Sequence, residues 1–222
     1  MKRKKVSMEE AQKAGGKKYR DMVQKGLTEY EKMPEKKKHQ VHVYYGYGKG
    51  KTTAVIGLII RTLGAGGSAA MVQFDKGYDG AKEHYNERHM LRKLKELGYP
   101  VEFYPTGCER INEDGTFRFK NTEEDYKEAE KGLEIVSNLI KKGKQDLLIL
   151  DEILAATAYH LIDEKDVFGV LDLYEKNRRF ELILTGHKLF DGLEERVGLI
   201  TEMRKVKHYF DEGIQARKGI EF

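Results

Sequence analysis

The sequence predicts an α/β fold, a mostly parallel sheet covered by helices on both faces, with a helical extension at the N-terminus. Three observations carry this. Five short apolar runs and a weaker sixth alternate with longer stretches of helical character. The first run, Val41-His42-Val43-Tyr44-Tyr45, leads directly into Gly46-Tyr47-Gly48-Lys49-Gly50-Lys51-Thr52-Thr53, a glycine-rich turn followed by an apolar helix. The fourth run, 147–150, ends in Asp151-Glu152. Short strands that are apolar on both faces belong to sheets buried on both sides, and such sheets are parallel.

Along the chain, residues 1–16 are polar, contain Gly15-Gly16 and are expected to be mobile. From Lys17 to Met33, the residues Tyr19, Met22, Val23, Leu27, Tyr30 and Met33 recur at spacings of three and four, one helical stripe closed by Pro34. Such a stripe must cover the body of its own subunit or that of a neighbour. Lys36-Lys37-Lys38 then leads into the first strand, so 1–38 reads as an extension and 39–222 as one phosphate-loop domain. Strands are expected at 41–45, 69–74, 101–104, 147–150 and 180–184, with a weaker one at 199–203. Helices are expected at 52–63, 82–97, 122–142, 152–160, 164–176 and 191–197. Asn121 or Thr122, followed by Glu123, Glu124 and Asp125, supplies a helix start, and Gly143 a stop.

A chain of 222 residues suffices for one well-cored domain plus an appendage. Charged residues make up 35% with both signs mixed, and the net charge is only +4, part of it in Lys2-Arg3-Lys4-Lys5 and Lys36-Lys37-Lys38. Nucleic-acid binders concentrate far more charge on one face, so no nucleic-acid partner is expected. No run approaches the ~20 apolar residues of a membrane span, and no apolar segment follows the N-terminal lysines, so neither a membrane nor a secretory route is expected. The single cysteine, Cys108, excludes an internal disulfide and fits a reducing cytoplasm. None of the histidines has the spacing of a zinc site.

The turn at 46–53 has the chemistry of a phosphate cradle. Three glycines let the backbone wrap closely around an anion, and the helix that follows adds its positive end. Lys51 brings a point charge, and Thr52 places a hydroxyl where a magnesium ion would sit. The position five before Gly50 is Tyr45 rather than the usual first glycine. Asp151-Glu152 at a strand end is either a plain helix cap or a reach toward that magnesium, and the upstream loop favours the metal. Thr52, Glu152, Asp151 and phosphate oxygens give the oxygen ligands that this hard cation takes. Polar groups follow other strands too: Gln73, Asp75 and Lys76; Thr185, His187 and Lys188; and Arg204 with Lys205, Lys207 and His208.

With these motifs assembled, the chain from about residue 17 onward resembles the P-loop ATP:corrinoid adenosyltransferases. Gly46–Thr53 looks like that family's shortened loop, Val72-Gln73-Phe74-Asp75-Lys76-Gly77 like its second strand and turn, and Leu150-Asp151-Glu152 like its acidic strand end. The C-terminal segment from Thr201 to Phe222 is the most specific piece. The resemblance implies a P-loop NTPase-like fold and transfer of the 5′-deoxyadenosyl group of ATP to the cobalt of a reduced corrinoid, with release of triphosphate, in cobalamin synthesis or salvage. It implies Mg2+, a homodimer, an N-terminal helix helping to close the corrinoid site, and a flavoprotein as a reductant. Carried onto this sequence, Gly46, Tyr47, Gly48, Lys49, Gly50, Lys51, Thr52 and Thr53 would hold the triphosphate, with Gln73 and Arg204 near the nucleotide. Thr52, Glu152 and Asp151 would bind the metal, and Lys51 and Glu152 would carry the catalysis. Three positions depart from the family pattern: Tyr47 stands for asparagine, Gly107-Cys108-Glu109-Arg110 for an aromatic segment, and His187 for arginine. Two other readings share the scaffold: an ATP hydrolase or small-molecule kinase, and a non-catalytic carrier of ATP or corrinoid.

Overall fold

A computed structural model gives the fold and describes residues 8–77, 83–110, 112, 114 and 116–221, with side chains from residue 12 onward. The chain forms two compact units that part between Lys38 and His39.

The first unit holds α1 (Met8–Glu31) and the single turn α2 (Glu35–Lys38), separated around Pro34. The helix expected from Lys17 starts at Met8 instead. Glu9, Glu10, Ala11, Gln12, Lys13 and Ala14 are good helix formers with acids at the N-terminal end, and they outweigh the roughly 1 kcal/mol that Gly15 and Gly16 each cost. Of the leader expected to be mobile, residues 8–16 are therefore helical, and 1–7 lie outside the described residues. The stripe of Tyr19, Met22, Val23, Leu27, Tyr30 and Met33 is exposed at every position.

The second unit contains β1 (Val41–Tyr45), α3 (Lys51–Gly64), β2 (Ala69–Gln73), α4 (Asn86–Glu96), β3 (Val101–Pro105), α5 (Glu123–Lys142), β4 (Leu147–Asp151), α6 (Ile153–Ala158), α7 (Glu164–Asn177), β5 (Glu181–Gly186) and β6 (Leu199–Glu202). The strands form one sheet in the order β3-β2-β4-β5-β1-β6, and every pair is parallel. Side chains alternate across a strand, and the core divides accordingly. Ala70, Val72, Leu148, Leu150, Leu182 and Leu184 face the helices α5, α6 and α7 through Val136, Ile140, Leu154 and Leu171. Ala69, Met71, Leu147, Ile149 and Ile183 face α3 and α4 through Val55, Ile59 and Leu91. The sheet is thus covered on both faces, as the apolar runs require.

The capping alternative resolves to Thr122, whose hydroxyl accepts from the Asp125 N–H while the Asp125 carboxylate accepts from the Thr122 N–H, and Gly143 closes α5 at φ 54°. Three expected helices are shorter than the pattern suggested, and of 152–160 only Ile153–Ala158 is helical. The stretch 191–197 forms only one 3-10 turn, Glu194–Arg196, because Gly192 at φ 82° and Gly198 leave too few residues between them for a stable helix. The helix expected from 82 begins at Asn86; residue 82 lies outside the described residues. Glu83 instead gives its carboxylate to Arg88 and Arg92, at 3.1 and 2.8 Å.

The strand order matters for the site. Because β5 lies between β1 and β4, the turn after β1 and the acid ending β4 flank Thr185 and Gly186 at one carboxyl edge. Ligands of open α/β sheets bind at that edge.

Candidate functional site

The turn after β1 is tied down from both sides. The Gly46 N–H donates to the carbonyls of Gly186 and His187, each at 3.1 Å, and the Gly48 N–H donates to Met203 O at 2.7 Å. Gly46 and Gly50 sit at φ 115° and 114°, a region closed to other residues without strain. Lys51, buried at the start of α3, curls its ammonium back onto Gly46 O (2.7 Å) and Gly48 O (3.1 Å). Burial pushes its pKa down, against the pull of Glu152. The first-turn N–H groups of α3 have no intrahelical acceptors and point out of this end of the helix. Lysine, loop and helix end together form a positively polarised cradle.

The close approach of Met203 and Arg204 makes the loop intolerant of a larger residue. A Cβ on Gly48 would lie 2.4 Å from Met203 O and 2.8 Å from Arg204 C, both backbone atoms that cannot swing aside. Gly48→Ala is expected to deform the loop and weaken ATP binding by at least about tenfold, while the circular-dichroism spectrum stays native. Unchanged affinity by calorimetry would show that the loop's packing does not set its grip on the ligand.

The acids ending β4 occupy different surroundings. Asp151 is fully buried and accepts from Lys76 Nζ (2.7 Å), Thr185 Oγ1 (2.8 Å), Thr52 Oγ1 (3.2 Å) and Gln73 Nε2 (3.3 Å). Burial opposes its ionisation, but the Lys76 ammonium and these hydrogen bonds prevail and hold its pKa below the ordinary value. Glu152 sits at φ 62°, which turns the chain sharply out of the strand, and its N–H donates to Thr185 Oγ1 at 2.8 Å. Burial, reinforced by the Asp151 charge, pushes its carboxyl above the ordinary value.

Beside these groups opens a cavity of about 590 Å3, lined among others by Lys76, Cys108, Phe117, Glu152, Tyr159 and His187. That is the size of a small-molecule site. The Tyr47 ring stacks on His187 at 5.4 Å between centroids, and Tyr159 meets the same imidazole edge-on at 5.9 Å. Burial, with Lys51 and Lys76 nearby, pushes the His187 pKa down. Burial, with Asp125 adding to it, pushes the Cys108 thiol up to about 11. Alkylation of Cys108 by iodoacetamide at pH 8 is therefore expected to run roughly 100-fold slower than that of a free cysteine. Mass spectrometry measures the rate, and labelling as fast as glutathione would contradict the burial.

Of the residues singled out in the sequence, the fold brings together Gly46, Gly48, Gly50, Lys51, Thr52, Asp151 and Glu152. Gln73 is wholly buried, with one end on Asp151 and the other accepting from Arg88 Nε at 2.7 Å, so it orients the acid from behind. Lys49 turns toward the C-terminal segment, where its ammonium meets Glu221 at 2.6 Å and Ile220 O at 3.0 Å; Glu221 also bonds Tyr209. Arg204 has its backbone against Gly48 and an exposed side chain. Thr185 was marked only as a polar group following a strand, whereas Arg88 and Tyr159 were not singled out and no local pattern marks them. Arg88 in particular is a buried cation on a helix whose apolar residues are few.

Among the described residues no helix is long and apolar enough to cross a membrane. Comparison with known proteins shows the family. The profile of the family described as ATP:corrinoid adenosyltransferase BtuR/CobO/CobP matches residues 37–222. A corrinoid adenosyltransferase of Sinorhizobium sp. is 36% identical over 177 residues, covering 80% of this chain and 77% of that protein. Corrinoid adenosyltransferases of Pseudomonas aeruginosa and Escherichia coli K12 are 29% and 28% identical, each across 81% of this chain and 82% and 84% of their own lengths. The match spans the cradle, both acids of β4 and the C-terminal segment that packs on the loop, and the chain belongs to the ATP:corrinoid adenosyltransferase family.

Proposed function

We propose that the protein transfers the 5′-deoxyadenosyl group of ATP to the cobalt of a reduced corrinoid and releases triphosphate, with the cradle at 46–53 holding the leaving group. The observation that carries this is the cradle closed by Lys51 together with a cavity large enough for a second substrate, lined by Glu152 and by Lys76, whose ammonium bonds Thr52 and Asp151. Cobalt(I) in the corrinoid substrate is a strong nucleophile, so the protein needs no attacking serine or cysteine. It must instead orient the 5′-carbon and neutralise a departing polyphosphate. Lys51 and the helix-end N–H groups do the second task, and the aromatic wall of Tyr47, His187 and Tyr159 bounds the space beside them.

Magnesium fits the donors present. Thr52, Asp151 and Glu152 offer only oxygens, and an ammonium, that of Lys76, already bridges two of these groups as a cation would. When bound, Mg2+ would add charge neutralisation on the triphosphate. Among the described residues no cluster of three or more His, Cys, Asp or Glu gathers as a self-sufficient metal site, which suits an ion completed by phosphate oxygens.

The same proposal includes a homodimer, supported by the exposed apolar stripe on α1; residues 1–38 as an extension on a nucleotide-binding unit; a flavoprotein reductant for the corrinoid; and a cytoplasmic setting, supported by the single cysteine. The test is anaerobic mixing of protein, Mg-ATP and chemically reduced corrinoid. Appearance of the cobalt–carbon absorbance is the expected result, and its absence would remove the reading.

A hydrolase or kinase is favoured by one observation, the Glu152 carboxylate lining the cavity beside the phosphate cradle, where burial raises its pKa as suits a group that takes up a proton. It requires ADP as the product.

A further inference from the structure

The adenosyl-transfer chemistry above gives no task to Lys76, whose placement is unusually constrained. It follows Asp75, a residue at φ 51°, and its N–H donates to Thr106 O at 3.1 Å. Its carbonyl accepts from Arg88 Nη2 at 3.0 Å, and that guanidinium is itself buried and fixed by Gln73 and Glu83. The root of the side chain is thus held, and the ammonium is delivered to Thr52 Oγ1 at 2.8 Å and Asp151 Oδ2 at 2.7 Å. The Tyr85 ring lies 5.2 Å from the same ammonium. These two oxygens are the ones assigned above to the divalent ion.

The geometry points to Lys76 as a second polyphosphate-binding residue, seated on the metal's oxygens and transferred to phosphate oxygens when Mg2+ enters with the nucleotide. It rests on the metal assignment of the proposed function. A divalent ion needs the lone pairs of Thr52 and Asp151 at about 2.1 Å, and an ammonium at hydrogen-bond distance uses the same lone pairs. Two cations cannot share them, so ion and ammonium are alternatives. The lysine stem is long and flexible and lines the cavity beside Glu152 and His187, so the amine can change partners without backbone movement. The anion it meets on leaving Asp151 is the polyphosphate held by Lys51. Metal and nucleotide then strengthen each other reciprocally, because each supplies what the other's arrival displaces. A lysine that only neutralises Asp151 would give no such coupling.

The test uses Lys76→Gln, which keeps a hydrogen-bond donor toward Asp151 and Thr52 but removes the charge. Two affinities are measured against wild type: Mn2+ alone, by electron paramagnetic resonance, and inorganic tripolyphosphate with Mg2+, by calorimetry. Mn2+ binding is expected to strengthen at least tenfold and tripolyphosphate binding to weaken at least tenfold; no change in either overturns the assignment. Should the variant not fold, the ammonium resonance of Lys76 in [15N]lysine-labelled wild type decides. It must shift on adding Mg2+ with tripolyphosphate, and a fixed resonance overturns the assignment equally. Wild-type protein that still forms the cobalt–carbon bond would leave the proposed function intact after either failure.

Discussion

Lys51→Ala is expected to lower ATP-dependent turnover by at least about 100-fold, the loss seen when one donor to developing charge is removed from a closed site. In this protein the ammonium is buried and rests on the carbonyls of Gly46 and Gly48, so it is already directed at the space the loop encloses. As triphosphate departs, negative charge gathers there, and with alanine only N–H dipoles oppose it. The deficit belongs to the transition state more than to the bound nucleotide, so kcat should fall further than KM rises. The two carbonyls left behind belong to a loop whose other bonds, Gly46 to Gly186 and Gly48 to Met203, are untouched. Thermal melting should therefore stay near that of wild type. Steady-state kinetics and a melting curve on one sample separate these effects. Retained turnover would show that Lys51 shapes the loop without neutralising the leaving group.

Asp151→Ala should instead destabilise the fold by about 3–5 kcal/mol, the cost of leaving a buried charge without its partner. Its carboxylate is fully buried and joins β2, β4, β5 and the start of α3 through Gln73, Thr185 and Thr52, and it is the 2.7 Å partner of the Lys76 ammonium. Urea unfolding measures the loss, and a change below about 1 kcal/mol would contradict the network. Its pH dependence has a definite sign. Since the folded carboxyl is held below its ordinary value, the stabilisation is complete above about pH 4 and fades as pH falls through the lowered folded value. Asp151→Asn, if it folds, should lack that part of the acid limb.

The alternation of apolar runs with helices and the turn at 46–53 revealed the sheet and its cradle, because both are written in consecutive residues. The strand order was not legible, and the site depends on it. Thr52 comes from the start of α3, Lys76 from the turn after β2, Asp151 from the end of β4 and Thr185 from β5, and only the placement of β5 beside β4 lets Thr185 reach Asp151. The same adjacency of β1 and β5 stacks Tyr47 on His187, two positions that looked like unrelated departures from the family pattern. Gln73 was expected near the nucleotide; its side chain joins Asp151 to Arg88, a partner that gave no signal among the charges of α4. The start of α1 at Met8 shows a different limit: two glycines look like a boundary, but flanking residues of high helix propensity carry the helix through them.

The central claim is that this cradle holds a triphosphate as leaving group while the sugar end of ATP faces the cobalt. Phosphorus-31 NMR of the products of an anaerobic reaction with Mg-ATP and reduced corrinoid tests it most directly. The account predicts one intact tripolyphosphate for each cobalt–carbon bond formed, whereas ADP with inorganic phosphate, or ATP left unconsumed, would contradict it.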